Sequence, residues 1–391
     1  MDLDAIRRAL VPAAVDGWLL YDFRGSNPIA RRLIGFDERQ IGTRRWFYWI
    51  PAHGEPVAIV HAIEKDAVRA PGRRLVYRSW RELEAHLADV LKGAQSIAME
   101  YSPRAAIPYV SRVDAGTIEM VRACGPEVVS SADLVQEFEA RWNPAQKALH
   151  DRAARDTLLA KDEAFALVRE RLAAGLPIKE SEVQAFIQSR FDARGLLTDH
   201  PCIVAVNEHA SDPHFETSAG PRDKEIRKGD LLLIDLWAKV ANDPQDVYYD
   251  ATWMAYCGPT VPPRMLEVWE AVKGGRDAAV AFIQKAVSEG RVIRGADVDD
   301  VSRGFIEARG FGDFFLHRTG HSIGAEVHGN GVNIDNLETR DERTLISGVC
   351  FSIEPGVYLP EFGVRSEIDV YVGETSAEVT GDIQRELLLL A

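Results

Sequence analysis

Runs of apolar residues in the first third of the chain are short and broken by turn formers, whereas later runs recur with helical spacing. Gly17 to Phe23 (GWLLYDF) predicts a strand. Arg45 to His61 (RWFYWIPAHGEPVAIVH) predicts a hairpin around Ala52-His53-Gly54-Glu55. Helical periodicity covers Trp80 to Lys92, and Ser96 to Tyr101 returns to strand. Ala145 to Leu172 predicts one long amphipathic helix with Pro144 as its starter, and Ser181 to Arg194 a second. Asp199 to Gly220 is rich in turn formers. Strands are predicted at Leu231–Trp237 and Val247–Tyr256, and helices at Pro263–Glu289 and Ala296–Ala308. Strand-like runs at Val349–Leu359 and Gly363–Val372 close the chain. A boundary at Asn143-Pro144 divides the pattern into an α/β domain, 1–143, and a larger domain, 144–391.

Two of the predicted strand pairs carry carboxylates. Asp235 ends the apolar run GDLLLIDLW, and Asp250 lies in YYDAT. The two are symmetric about Asn242-Asp243, which Pro244 follows; these are turn formers. A hairpin closing there without a bulge would set Asp235 directly opposite Asp250, with Cβ atoms roughly 4.5–5.5 Å apart. Glu354 and Glu367 are likewise symmetric about Pro360-Glu361. Four carboxylates brought together cannot all stay ionised near neutral pH without a cation. Two divalent ions would balance the cluster. Oxygen-rich ligation favours Mn²⁺, and a histidine widens the choice to Zn²⁺, Co²⁺ or Fe²⁺. His317, His321 and His328 lie between the two carboxylate pairs. Gly320 and Gly324 argue for loop or strand there rather than helix.

Composition narrows the classes. The chain has 391 residues, 46% apolar and 27% charged, which suits a globular protein with two or three domains. Its net charge of -14 argues against nucleic-acid binding. No apolar run approaches a membrane span, and Met1 to Leu10 carries Asp2, Asp4, Arg7 and Arg8 instead of a signal-peptide core. Cys124, Cys202, Cys257 and Cys350 are scattered, as reduced thiols of a cytoplasmic protein would be.

The segments IDLW (234–237), DAT (250–252), HRTGHSIGAEVH (317–328), SIEPGVYL (352–359) and GVRSEIDV (363–370) resemble, in this order, the pita-bread metallopeptidases: prolidase, aminopeptidase P and methionine aminopeptidase. The resemblance covers roughly 145–391. The first domain resembles the smaller N-terminal domain of prolidase-like members, which methionine aminopeptidases lack. The resemblance implies an α+β, creatinase/aminopeptidase-like catalytic domain behind a creatinase/prolidase-like α/β domain. It implies a dinuclear-metal hydrolase of Xaa-Pro bonds in dipeptides or short peptides, and a homodimer. By position, Asp235 would chelate one metal, Asp250 and Glu367 would bridge two, and His321 and Glu354 would complete the second. Glu354 would also handle the proton of a bridging water. His317, His328 and His214 would contact substrate or stabilise the tetrahedral intermediate. Arg365 would bind the substrate carboxylate, or pair structurally with Asp250 or Glu367.

Departures from the family pattern bear on the substrate. Asp235 and Asp250 stand further apart than usual, by an even number of positions that keeps both on one face. Trp253 follows Thr252 where an arginine is customary, Trp237 replaces a small residue, and Arg318 replaces a glycine. Bulky residues close to the site would narrow or re-aim its pocket. Two other readings stay open: a creatinase-like hydrolase of another C–N bond, and a catalytically silent binding protein on the same fold.

Overall fold

A computed structural model describes residues 1–36 and 42–390. Its chain divides into two units, Met1–Glu139 and Ala140–Ala391.

In the first unit, β1 (Gly17–Asp22), β2 (Trp46–Pro51), β3 (Val57–His61), β4 (Arg73–Tyr77), β5 (Ser96–Met99) and β6 (Glu127–Ser130) form one mixed sheet. The strand order is β4-β3-β2-β1-β5-β6. The predicted hairpin is β2–β3, with Trp49 opposite Val57. Both faces are covered: Trp18, Leu20 and Tyr48 enter one core, while Leu19, Tyr21 and Phe47 enter the other. That double burial explains why β1 and β2 read as unbroken apolar runs instead of alternating ones.

The second unit begins with the Pro144–Ala174 helix. Pro144 occupies its first turn, and Asn143 and Gln146 cap one another's backbone N–H groups. Its strands are β7 (Leu196–Leu197), β8 (Ile203–Val206), β9 (Leu231–Val240), β10 (Tyr249–Tyr256), β11 (Ser322–Ile323), β12 (Cys350–Ile353), β13 (Gly356–Tyr358), β14 (Gly363–Arg365), β15 (Ile368–Val372), β16 (Ala377–Thr380) and β17 (Leu388–Leu389). One sheet runs β17-β10-β9-β7, with β8 also paired to β9. A second runs β11-β12-β15-β16, and β13 and β14 make a separate ribbon.

The β9–β10 pair separates two environments by the period of two in strands. Leu232, Ile234 and Leu236 of β9, with Ala251, Trp253 and Ala255 of β10, pack in a core with Ala153, Leu158 and Phe165 of the Pro144–Ala174 helix. Leu231, Leu233 and Met254 belong to the other face, in a core with Val268 and Trp269 of the Pro263–Ser288 helix. Asp235, Trp237, Asp250 and Thr252 continue that second face beyond its apolar part.

The observed register corrects one expectation. Asp235 faces Thr252, and Asp250 faces Trp237. The ladder is displaced by two residues because the connection is longer than a tight turn. The Asp246 carboxylate accepts hydrogen bonds from the Asn242 and Asp243 amides and folds the loop back on itself. Tyr248 leaves the ladder to donate its N–H to the Gly324 carbonyl. An even displacement leaves both aspartates on one face.

The C-terminal strands keep the expected register but are interrupted. β13 pairs β14 with Gly356 opposite Arg365, and β12 pairs β15 with Ile353 opposite Ile368. Both ladders share the symmetry centre at Pro360-Glu361, and Glu354 and Glu367 fall in the gap between them. All four cysteines are unpaired. No described helix is long and apolar enough to cross a membrane.

Candidate metal centre

Each functional segment is pinned from behind by buried polar contacts. The His317–His321 stretch is loop, as its glycines predict. Asp299 accepts hydrogen bonds from the Thr319 amide and hydroxyl, and Arg303 ties Asp299 to the carbonyls of Phe315 and His317. Gly320 is required there: a Cβ at this position would meet the Ser352 carbonyl oxygen at 1.9 Å. The contact lets His321 join β12. Its N–H donates to Ser352 Oγ at 2.9 Å, and that hydroxyl donates to Glu354 Oε1 at 3.0 Å.

The loop carrying His214 is held by the buried Glu180. Its carboxylate accepts from the Val206 and Lys224 amides and pairs with His209, whose ring stacks on Phe215. Gly363 lets the β13–β14 ribbon approach this loop, since a Cβ there would lie 1.8 Å from the Ala210 carbonyl oxygen. Ser211 Oγ donates to the Leu359 carbonyl. His214 itself is exposed.

These constraints bring Asp250, His321 and Glu367 together, all buried, with ligand atoms within 4.8 Å of one another. His321 Nε2 lies 3.7 Å from Asp250 Oδ2 and 3.3 Å from Glu354 Oε1. Its Nδ1 is 3.2 Å from the Ser322 carbonyl, which fixes the proton on Nδ1 and leaves Nε2 as a lone-pair donor. Asp250 Oδ1 is buried and without a hydrogen-bond partner. Glu367 Oε2 accepts from Thr252 Oγ1 at 2.7 Å.

Electrostatics show what the cluster lacks. Burial pushes the Asp250 carboxyl well above the usual range, and the neighbouring Asp235, Asp369 and Glu354 push it further. Glu367 is raised in the same way by burial and by Asp250 and Glu354. Glu354 is pushed up to about 7 by burial, although Arg365 and Arg318 pull the other way. His321 is held well below its ordinary value by burial, His328 and Arg318. A neutral imidazole among carboxyls that retain protons is a donor set short of positive charge, and the orphaned Asp250 Oδ1 points to the same deficit. The residues fit oxygen-and-nitrogen ligation of divalent cations.

The remaining predicted residues take more distinct places. Asp235 is bound by Arg365 Nη2. Arg365 also donates to Thr252 Oγ1 at 3.1 Å and to the Tyr358 hydroxyl at 3.2 Å. It therefore pairs with Asp235, not with Asp250 or Glu367 as the sequence suggested, because the register places Thr252 and Asp235 side by side. Both His317 nitrogens are engaged: Nδ1 by the Arg318 carbonyl and Nε2 by the Tyr358 hydroxyl, each at 2.7 Å. Burial, with Arg365 next, lowers the His317 pKa to about 3. The His328 ring packs edge-on against His321 with centroids 4.2 Å apart.

Trp237 lies on the face of Asp250 and donates its indole N–H to Asp199. Arg318 is buried, and its charge bears on His317, His321 and Glu354. Trp253 does not approach the site. Strand alternation turns it into the opposite core, where the Lys161 ammonium sits 3.4 Å from its ring centroid.

Sequence reasoning gave no role to Thr252, Ser352, Tyr358 and Asp369. Asp369 accepts the Asp250 backbone N–H at 2.9 Å. Three of them flank a ligand by two positions within quoted motifs, and that spacing was their only sequence signal.

The metallopeptidase family M24 matches residues 149–374. An Xaa-Pro dipeptidase of Pyrococcus furiosus is 28% identical over 283 residues, 68% of this chain and 75% of its own length. One of Lactobacillus delbrueckii subsp. lactis is 30% identical over 207 residues, 53% of this chain and 51% of its own length. Among solved structures, dipeptidase PepE from Mycobacterium ulcerans aligns with a TM-score of 0.71 at 24% identity, over 99% of this chain and 96% of that one. The fold is the α+β pita-bread architecture that the motifs led us to expect.

Proposed function

The chain belongs to metallopeptidase family M24, and from that premise we propose that it cleaves Xaa-Pro bonds of dipeptides or short peptides with two divalent ions held in the carboxylate cluster. The convergence of Asp250, His321 and Glu367 within 4.8 Å carries the reading. Asp250 and Glu367 would bridge the ions, Asp235 would chelate one, and His321 and Glu354 would complete the other. Mn²⁺ is the first choice on ligand hardness.

Divalent ions held by these residues would supply Lewis-acid chemistry, lowering the pKa of water and polarising a carbonyl. Glu354 would take a proton from the attacking water and pass it to the leaving nitrogen. His214 and His328 contact the peptide and the developing oxyanion. Since both its nitrogens are occupied, His317 acts through Tyr358, which it orients toward Arg365. Arg365 holds the Asp235 carboxylate in place, so its three contacts leave it a positioning role. The boundary at 143/144, a homodimeric assembly and a cytoplasmic location belong to the same proposal.

Ala-Pro and Ala-Pro-Ala cleavage, measured side by side with Mn²⁺ and with chelator, tests it. Metal-dependent cleavage of Ala-Pro, lost in Glu354→Ala, is the expected result. Cleavage of the tripeptide as well assigns an aminopeptidase range. If neither peptide is cut with any divalent metal, the Xaa-Pro assignment is wrong.

A further inference from the structure

A cavity of about 280 Å³, lined by none of the carboxylates of the cluster, opens between the Pro263–Ser288 helix and the segment near the C-terminus. Lys273, Arg276, Asp277 and Gln284 line it from the helix, Arg385 from the opposite side, and Ile368 is part of its wall. Three of these side chains are cations and one is an anion. On a chain with net charge -14, this is a local reversal of sign.

Arg276 is the decisive residue. It is fully buried, and its pKa is lowered by that burial. A guanidinium has about five N–H donors. Nε and Nη2 donate to Asp277 Oδ1 at 2.9 and 2.7 Å, and Nη1 donates to Ser366 Oγ at 2.6 Å. Those bonds leave two N–H groups of a buried cation with no acceptor among the described residues. Arg385 lowers the Arg276 pKa further, and it makes no hydrogen bond or ion pair of its own among the described residues. Lys273 is partly neutralised by Glu270 at 2.6 Å. Buried charge without full hydrogen bonding is costly, so the arrangement suits an acceptor-rich guest.

We propose that this cavity binds a small oxyanion, a phosphate or carboxylate group, between Arg276, Arg385 and Lys273. Its oxygens accept the two spare Arg276 N–H groups and the donors of Arg385, in the planar fork geometry that suits such anions. The bound anion lies beside Ser366, the residue before Glu367, through the Arg276 hydrogen bond. The site stands on its own side chains and does not depend on the peptidase reading.

The test is calorimetric titration of the Mn²⁺-loaded protein with inorganic phosphate and, separately, with malonate, at ionic strength held constant with chloride. Saturable binding is expected, weakened about tenfold or more in the Lys273→Ala/Arg385→Ala double variant, as loss of charge-assisted hydrogen bonds implies. Both side chains lie outside the carboxylate cluster, so Ala-Pro cleavage by that variant should match wild type if the peptidase reading holds. Binding of phosphate alone assigns a phosphoryl group, and binding of malonate as well assigns carboxylates to the site. Absence of saturable binding for both anions overturns the proposal. Equal affinity in the double variant also overturns it, because the anion would then be held elsewhere, such as at the metals.

Discussion

The two strand pairs that carry the acidic residues solve one problem in different ways. β9–β10 is a continuous ladder from Leu231 to Ala238, and its register sets both aspartates on one face. The C-terminal pair breaks its ladder where its glutamates stand. There the backbone turns to other partners: the Glu354 N–H donates to the Thr319 carbonyl at 2.7 Å, and the Glu367 N–H to the Thr252 carbonyl at 3.3 Å. The interruption cross-links β12 to the histidine loop and β14–β15 to β10. Had the ladder closed across Glu354 and Glu367, these two N–H groups would be spent between the strands and not on the distant segments. One pair supplies a rigid reference, and the other gives up local pairing to gather ligands from distant segments.

The sharpest way to break the second arrangement is Gly320→Ala. Its Cβ would overlap the Ser352 carbonyl, and backbone cannot yield as a flexible side chain can. We expect a loss of about 4 kcal/mol or more in denaturant unfolding, beyond the range of ordinary substitutions. An unchanged midpoint would mean that the His321 loop does not lean on β12.

Thr252→Val removes the hydroxyl that serves both pairs, donating to Glu367 and accepting from Arg365. The shape is nearly conserved, so the effect should fall on the site: about 10–100-fold in Mn²⁺ affinity or kcat/KM. A variant equal to wild type in both would show that Glu367 is oriented by its ladder neighbours alone.

Metal binding should depend on pH in a definite direction. Asp250 and Glu367 are raised well above the usual carboxylate range, and Glu354 to about 7, so the free site retains protons below that pH. Cations must displace them. Mn²⁺ affinity should therefore rise with pH, by about tenfold per unit for each proton released, through the Glu354 range near pH 7. Calorimetry in buffers of different ionisation enthalpy reads the released protons. Binding without proton release would contradict the burial-driven shifts.

The smallest effect belongs to the first pair. Asp246→Ala removes two loop hydrogen bonds and should cost about 1–2 kcal/mol. Activity should stay within about threefold, roughly 0.7 kcal/mol of barrier, because the Tyr248–Gly324 contact still holds the connection and the ladder its register. A larger fall in kcat/KM would show that the loop carries the register.

Much of this was legible in the order of residues. Strand alternation put Asp235 and Asp250 on one face, and the symmetry about Pro360-Glu361 gave the register of the C-terminal strands. Pro144 marked the start of the long helix. These are local properties: side-chain period, turn chemistry and caps act between residues close in sequence. The β9–β10 register escaped because Asp246 and Gly324 hold the connecting loop, and the Gly324 contact is distant in the chain. The turning of Trp253 into a core, the pairing of Arg365 with Asp235 and the spare donors of Arg276 were decided by tertiary structure. Each depends on what packing places opposite a side chain, and burial then sets the energy of that meeting.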